Sequence, residues 1–437
     1  MDIFHASDLH YSPTNLVEAD RCFGFAVEDA IARGVQVAII GGDSTDHRLE
    51  AHSPVFLRLA KRIKQLADHC PVFMLQGTFS HEPEGMLHIL GMIGAKHPIL
   101  VSDRVGMFGL RDNQWFSIGP TNSSEQYDLA ITSIPTLNKA ELALQVGASN
   151  AGEAMGEHLA SIMAAFAPVN AGLRARGVPT VLASHGTVDG SLTETGTPMA
   201  GLDHEFTAGT LYMAGTNAVM LGHLHKYQVW ERTYDGLHQV IAYPGSVGRY
   251  HYGEIGEKHY LLWRVQANSV EHEAIQTPSK RMIDLDFDGV PNIEEISRVA
   301  SQCEGAFVRV SYKVDQEYAG TIDRQAIQDV LGGAAEVKIE GKVLTIQRQR
   351  CAGISALSSM EEKILAWCKY TNSPSKGILD RLSEILTSDP SDIANAFSIR
   401  NRQHLAVIDD RPTPIERTTS PAPIESKRDQ TETAELF

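Results

Sequence analysis

The sequence lacks several features that would place it in a familiar class of protein. No apolar run approaches the roughly 20 residues that a membrane-spanning helix needs. The first residues do not join a charged segment to an apolar one, as a secretory signal does. The five cysteines of the 437-residue chain are scattered and form no C-x-x-C pair, which argues against a disulfide framework and against a zinc knuckle. We expect a cytoplasmic protein with no membrane segment.

Positive charge is also scarce. The chain has 38 Lys and Arg residues against 54 Asp and Glu residues, which gives a formal net charge of −16. A protein that holds nucleic acid mainly through a basic surface has the opposite balance. If this protein binds phosphate groups, metal ions or a partner must therefore supply much of the positive charge.

The first 270 residues do contain a series of short apolar runs, each followed at once by polar residues. Such runs predict strands that are buried on both faces, and the helical stretches between them predict an α/β domain. Residues at the carboxyl ends of these strands are expected to meet on one rim of a sheet, where α/β proteins usually bind ligands. The runs are residues 3–6, 35–40, 71–75, 178–183 and 218–221.

The remainder of the chain follows other patterns. Residues 280–350 predict a small α+β unit, with a strand at 307–312 and a hairpin across Glu340-Gly341. Residues 358–386 predict two amphipathic helices. The last segment is rich in proline and polar residues, which predicts disorder because it cannot bury enough apolar surface. The predicted domains are therefore 1–275 (the α/β domain), 276–350 (the small α+β unit), 351–409 (C-terminal helices) and 410–437 (disordered tail).

Acidic and histidine side chains cluster at the ends of the predicted strands. Asp8 and His10 are two residues apart, so their side chains lean to the same side of the chain, and His223 and His225 have the same relation. The other members of the cluster are Asp43, Asp46, His81 and His185. A mixed set of this size exceeds what one tetrahedral zinc needs and suits two divalent metal ions roughly 3.5–4 Å apart. Oxygen-rich mixed ligation favours Mn²⁺ or Mg²⁺ over zinc.

The motifs resemble those of the calcineurin-like metallophosphoesterases, and within them those of the SbcD-type DNA repair nucleases. They are Asp8-Leu9-His10, Gly42-Asp43, His81-Glu82, His185 and Gly222-His223-Leu224-His225. Residues 5–10, Tyr243-Pro244-Gly245-Ser246 and the closing segment 254–265 resemble the SbcD-type branch in particular. The resemblance covers roughly residues 1–390. It implies a β-sandwich flanked by helices, with a small α+β capping domain and C-terminal helices.

The resemblance also implies a role for each residue of the cluster. The implied ligands are Asp8, His10, Asp43 and His225 for one metal, and Asp43, His185, His223 and a residue of the Gly77 turn for the other. The family usually has an Asn ligand in that turn, whereas this chain has none and its turn is two residues longer. Ser80 (or Thr78) offers a hydroxyl there, which is a poorer ligand than an amide oxygen. We expect His81 to stabilise or protonate the leaving oxygen and Asp46 to orient a neighbouring group.

The function implied by the resemblance is a manganese-dependent DNA exonuclease and endonuclease. It implies a homodimer that works with an SbcC-like SMC-family ATPase, whose coiled coil binds the helices of residues 358–386. A purely stabilising helix pair and a DNA-binding helix-turn-helix are the other readings of these helices. For the whole protein, the alternatives are a small-molecule phosphatase or phosphodiesterase on the same metal centre, and a degenerate partner subunit without catalysis.

Overall fold

The computed structural model divides the chain into two compact units, Met1–Thr345 and Ile346–Phe437. The residues that it describes are 1–50, 52–119, 122–137, 151–198, 205–254, 256–344 and 353–395. The tail predicted at 410–437 lies outside the described residues, and the domain boundaries predicted within the chain stay predictions. Within the described part of the chain, no helix is both long enough and apolar enough to cross a membrane.

Strands and helices alternate through the first unit. The strands are β1 (Asp2–Ala6), β2 (Val37–Ile40), β3 (Val72–Leu75), β4 (Ile99–Ser102), β5 (Gly106–Arg111), β6 (Gln114–Ser117), β7 (Leu129–Ile134), β8 (Thr180–His185), β9 (Thr187–Val188), β10 (Glu205–Phe206), β11 (Ala218–Gly222), β12 (Gln228–Tyr234), β13 (Leu237–Tyr243), β14 (His259–Val265), β15 (Val270–Gln276), β16 (Met282–Asp288), β17 (Phe307–Asp315) and β18 (Glu336–Leu344). The helices of both units are α1 (Leu16–Ala32), α2 (Pro54–Ala67), α3 (His88–Gly91), α4 (Ala151–Ala175), α5 (Ala208–Met213), α6 (Ile293–Val299), α7 (Arg324–Val330), α8 (Met360–Thr371) and α9 (Lys376–Thr387).

Two large sheets pack face to face. The first has the strand order β15-β14-β1-β2-β3-β4, and the second has the order β12-β13-β11-β8-β7-β5-β6. In the first sheet, β1 to β4 run parallel, while β14 is antiparallel to β1. An apolar core lies between the sheets and draws on both of them, including Ile39, Phe73, Ile131, Val181, Met220 and Trp263.

Helices cover the outer faces of this sandwich. Alternate residues of β1 to β3, such as Phe4, Ile40 and Met74, pack with α1 and α2 instead of the opposite sheet, because successive side chains of a strand point to opposite faces. Helices α4 and α5 cover the second sheet in the same way. Both faces of the central strands are therefore buried, and the helix-flanked β-sandwich predicted from the sequence is confirmed.

A smaller α+β layer follows the sandwich. Strands β16, β17 and β18 form a parallel sheet, and α6 and α7 pack on one face of it through Ile296 and Ile327. The hairpin predicted across Glu340-Gly341 is wrong, because both residues lie inside the single strand β18. Gly341 pairs with Tyr312, whose ring fills the space that a side chain at residue 341 would need. The glycine therefore marks a close approach and not a turn.

The second unit contains α8 and α9. Ser359 begins α8 with a capping box, in which its side chain and that of Glu362 each accept a hydrogen bond from the other's backbone amide. Asn372 ends this helix with a φ of 54°. Large apolar side chains of both helices are exposed, including Met360, Leu365, Trp367, Tyr370, Ile385 and Leu386.

Candidate metal centre

The loops that follow β1, β2 and β11 meet at one rim of the sandwich. The amide of Asp8 donates to the carbonyl of Gly42 at 3.0 Å, and the amide of His10 donates to that of Asp43 at 3.1 Å. The second sheet joins them, since the amide of His223 lies 3.1 Å from both carboxylate oxygens of Asp8. The strand ends therefore bring residues from distant parts of the sequence together, as the pattern of motifs predicts.

Four residues at this rim adopt left-handed backbone conformations. The φ angles are 53° for Asp8, 45° for His10, 50° for Asp43 and 109° for His223. Positive φ is uncommon for residues other than glycine and costs of order 1–3 kcal/mol where it is strained. Such strain persists only when the surrounding structure imposes it, and it concentrates at functional sites.

The first ligand group consists of Asp8, His10 and His225, whose ligand atoms all lie within 4.8 Å of one another. The Nε2 atoms of His10 and His225 are 2.8 Å apart. Burial, followed by the charge of His10, holds the pKa of His225 well below its usual range. A lowered pKa favours the neutral imidazole, which is the form that binds a cation.

Asp46 lies behind His10. Its Oδ1 is 3.3 Å from His10 Nδ1. Burial alone would lower the pKa of His10, but the adjacent Asp46 carboxylate and the charges of Asp43 and Asp8 outweigh it and raise that pKa. The structure thus places Asp46 beside an imidazole of the first group, and the orienting role predicted for it stays a prediction.

The second ligand group consists of Asp43, His185 and His223, whose ligand atoms likewise lie within 4.8 Å of one another. His185 Nδ1 lies 2.7 Å from the carbonyl of Gly41. Since a carbonyl only accepts, this nitrogen carries the proton and leaves Nε2 to face Asp43 Oδ2 at 3.3 Å. Burial lowers the pKa of His185, but the carboxylate of Asp43 outweighs that effect and raises it to about 9.

The Gly77 turn contributes Thr78 to the second group. The Thr78 amide donates to Asp43 Oδ1 at 2.6 Å. Its hydroxyl lies 3.2 Å from Asp43 Oδ2 and 3.3 Å from His185 Nε2. Ser80, the residue preferred from the sequence, is exposed. The structure therefore brings Thr78, and not Ser80, to the ligands of the second group.

Glu82 is a site residue to which the sequence assigned no role. Its side chain is fully buried. One carboxylate oxygen accepts the amide of Gly77 at 2.6 Å, and the other accepts the amide of Ser44. Burial and the nearby charge of Asp43 raise its pKa to about 7. Glu82 therefore ties the Gly77 turn to the loop after β2. The only signal in the sequence is its position beside His81 in a family-like motif.

His81 lies next to the first ligand group. Its ring packs edge-on against His10, with 5.0 Å between ring centroids, and its Nδ1 is 3.9 Å from Asp46 Oδ1. About a third of its side chain is exposed. His81 is therefore adjacent to the ligands and still open to a molecule arriving from solvent.

The two groups fit divalent cations. Together they offer two carboxylates and four imidazoles, a mixed oxygen and nitrogen set that suits such ions. Burial raises the pKa of Asp8, since its charged form lacks water there, and a cation would offset that cost. The charge of Asp43 acts on Asp8 and His10 as well as on His185. The two groups are therefore near enough for the charge of a residue in one to act on residues of the other.

Comparison with known proteins finds similarity among solved structures. No protein-family model matches the sequence, and no curated protein matches it. A dimetal phosphatase from Danio rerio is similar over 63% of this chain and 98% of its own chain, with 9% sequence identity and a TM-score of 0.38. The case for a centre that holds two divalent metals therefore rests on the ligand geometry of this chain.

Proposed function

We propose that the protein is a two-metal phosphodiesterase that acts on DNA, as an exonuclease and endonuclease that processes ends or breaks. The observation that carries this proposal is the pair of largely buried ligand groups at one rim of the sandwich, and the resemblance of the motifs implies that Asp43 bridges them. The resemblance of the motifs to those of SbcD-type nucleases supports DNA as the substrate. The same resemblance supports Mn²⁺ as the metal, and Mg²⁺ suits the same ligands.

The side chains around the centre have distinct roles in this proposal. When bound, two divalent ions activate a water for attack on phosphorus and neutralise charge on the phosphate. Asp46 holds the imidazole of His10 in its ligand orientation. His81 donates a proton to the leaving oxygen, because it is the partly exposed imidazole beside the first ligand group.

We also propose a cytoplasmic homodimer with an SMC-family ATPase as partner. The exposed apolar side chains of α8 and α9 support this part of the proposal, since exposed apolar patches mark protein interaction sites. The net charge of −16 is consistent with it, because a protein with so few positive charges gains from metals and a partner when it binds DNA.

The test is manganese-dependent digestion of end-labelled duplex DNA, with the ATPase partner present and absent. The variants are His81→Ala and the matched control His52→Ala, whose side chain is 85% exposed. We expect wild type and His52→Ala to cleave DNA. We expect a chelator to abolish cleavage and His81→Ala to slow it about 10²–10⁴-fold, the usual contribution of a general acid.

Two other results would contradict the proposal. Turnover of a small aryl phosphodiester without cleavage of DNA would indicate a small-molecule phosphodiesterase. Absence of both activities, with fewer than two Mn²⁺ bound per chain, would indicate a degenerate partner subunit.

A further inference from the structure

The loop between β13 and β14 contains a fully buried ion pair. Lys258 Nζ lies 2.5 Å from Glu254 Oε2, and only 1% and 0% of the two side chains are exposed. Lysine and glutamate are almost never fully buried unless they are paired. Even when paired, they are often no more stabilising than apolar residues of similar volume. Stability alone therefore does not account for this pair.

The ammonium group of Lys258 contacts the backbone of a metal ligand. It donates to the main-chain carbonyl of His225 at 2.9 Å and to Ser246 Oγ at 2.9 Å. The amide of Ser246 donates to the same carbonyl at 3.3 Å. Gly245 packs so closely here that a Cβ atom would lie 2.8 Å from that oxygen. The His225 carbonyl is thus held by two donors from one tightly packed loop.

The other end of the ion pair leads to His10. The other carboxylate oxygen of Glu254, Oε1, accepts hydrogen bonds from the amides of Tyr250 at 3.0 Å and His251 at 2.8 Å. The Tyr250 hydroxyl donates to the carbonyl of Leu9 at 2.6 Å. Its ring packs edge-on against that of His10, with 5.6 Å between centroids. Both ends of the pair therefore support histidines of the first ligand group.

We infer that Lys258 is a positioning residue for the first ligand group. Its ammonium fixes the main chain at His225 so that the imidazole faces His10, and Glu254 supplies the charge that lets a lysine lie in the interior. The inference rests on the metal-binding role proposed above. A ligand whose backbone is already fixed loses little conformational freedom when a metal binds. The affinity of the first group for metal therefore depends on this lysine.

The test measures Mn²⁺ binding to the full chain from the electron paramagnetic resonance signal of the free ion. Lys258→Met is combined with His185→Ala, which leaves the first group, and separately with His10→Ala, which leaves the second group. The double variant Glu254→Gln/Lys258→Met removes both buried charges, so no unpaired charge remains. Lys64→Met is the matched control, because it removes a lysine whose ion pair with Asp68 is at the surface.

We expect Lys258→Met to weaken Mn²⁺ binding about tenfold in the His185→Ala background, in the range for residues that orient metal ligands. In the His10→Ala background we expect Lys258→Met to change the affinity for Mn²⁺ by less than twofold. The double variant should bind Mn²⁺ with the same affinity as Lys258→Met, and Lys64→Met should bind it with the same affinity as wild type. Equal weakening in both backgrounds would mean general structural damage and would overturn the inference, as would unchanged binding in both. If wild type itself binds fewer than two ions, the proposed function fails, and the inference fails with it.

Discussion

Thr78 is the residue at which this chain departs most from the motif it resembles. Its hydroxyl lies 3.2 Å from an oxygen of Asp43 and 3.3 Å from His185 Nε2, whereas the nucleases that the motifs resemble usually have an Asn in this turn. A neutral hydroxyl is a weaker ligand than an amide oxygen. The second ligand group is therefore expected to hold its metal less tightly than the first.

Replacing Thr78 tests this difference. We expect Thr78→Asn to tighten Mn²⁺ binding at the second group by about tenfold, in the range over which groups near a metal tune its affinity. We expect Thr78→Ala to weaken it. Calorimetric titration of the metal-free protein measures both changes, and Ser80→Ala is the control because Ser80 is exposed. A loss of affinity in Ser80→Ala as large as that in Thr78→Ala would return the ligand role to Ser80.

The sequence was sufficient to predict most of the acidic and histidine side chains that the structure brings together, because each stands in a fixed relation to the end of an apolar run. Asp8 and Asp43 illustrate this, since each follows a strand of the first sheet and side-chain type alone suggests a metal. The choice between Thr78 and Ser80 was different. It depends on how the Gly77 turn folds, and that is decided by the two amides that the buried Glu82 carboxylate accepts, one of them from Ser44. The spacing of residues along the sequence does not reveal such a contact.

At the scale of secondary structure, the two sheets approach each other closely where β11 ends. A Cβ atom at Gly222, the last residue of β11, would lie 2.0 Å from Ser7 Oγ and 2.2 Å from the Gly41 carbonyl oxygen. These neighbours follow β1 and β2, the strands that lead into Asp8 and Asp43. Even one added methyl group would therefore push the ends of the two sheets apart.

We expect Gly222→Ala to lower the free energy of unfolding by about 1–3 kcal/mol, the usual cost of overpacking a core, and to weaken metal binding at both groups. Gly172→Ala is the matched control, because residue 172 lies inside α4 with its nearest neighbour 3.6 Å from an added Cβ. Within a helix, alanine is favoured over glycine by about 1 kcal/mol. In urea denaturation, replacement of glycine by alanine should therefore lower the free energy of unfolding at residue 222 and raise it at residue 172. A stabilised Gly222→Ala would contradict the close approach.

The elements themselves were predictable to different degrees. Strands β2 and β3 were predictable because both of their faces are buried, which gives short continuous apolar runs in the sequence. Strand β18 was mistaken for a hairpin because Glu340-Gly341 is a typical turn sequence. What decides its conformation is pairing with β17, a strand more than twenty residues earlier, and short-range patterns do not report such pairing.

For the whole molecule, the second unit offers a separate test of the proposed partner. We expect replacement of Trp367 and Tyr370 by serine to release a co-expressed SMC-family ATPase from the protein in gel filtration, because these exposed side chains (40% and 62%) lie on α8. Hydrolysis of a small aryl phosphodiester should stay unchanged. Thr371→Ser is the control, since it keeps the hydroxyl that donates to the Trp367 carbonyl. A complex that survives the double substitution would remove α8 from the proposed interface.

The ligand set is spread along the chain from Asp8 to His225, and β1 pairs with β14, which ends only at Val265. A ribosome must therefore synthesise all of the chain up to residue 225 before the last histidine of this set exists, and still more before Lys258 and β14 can support it. A fragment released early in translation carries some of the motifs without the complete centre. For a hydrolase that would act on DNA, this order of synthesis delays activity until the catalytic unit is nearly complete.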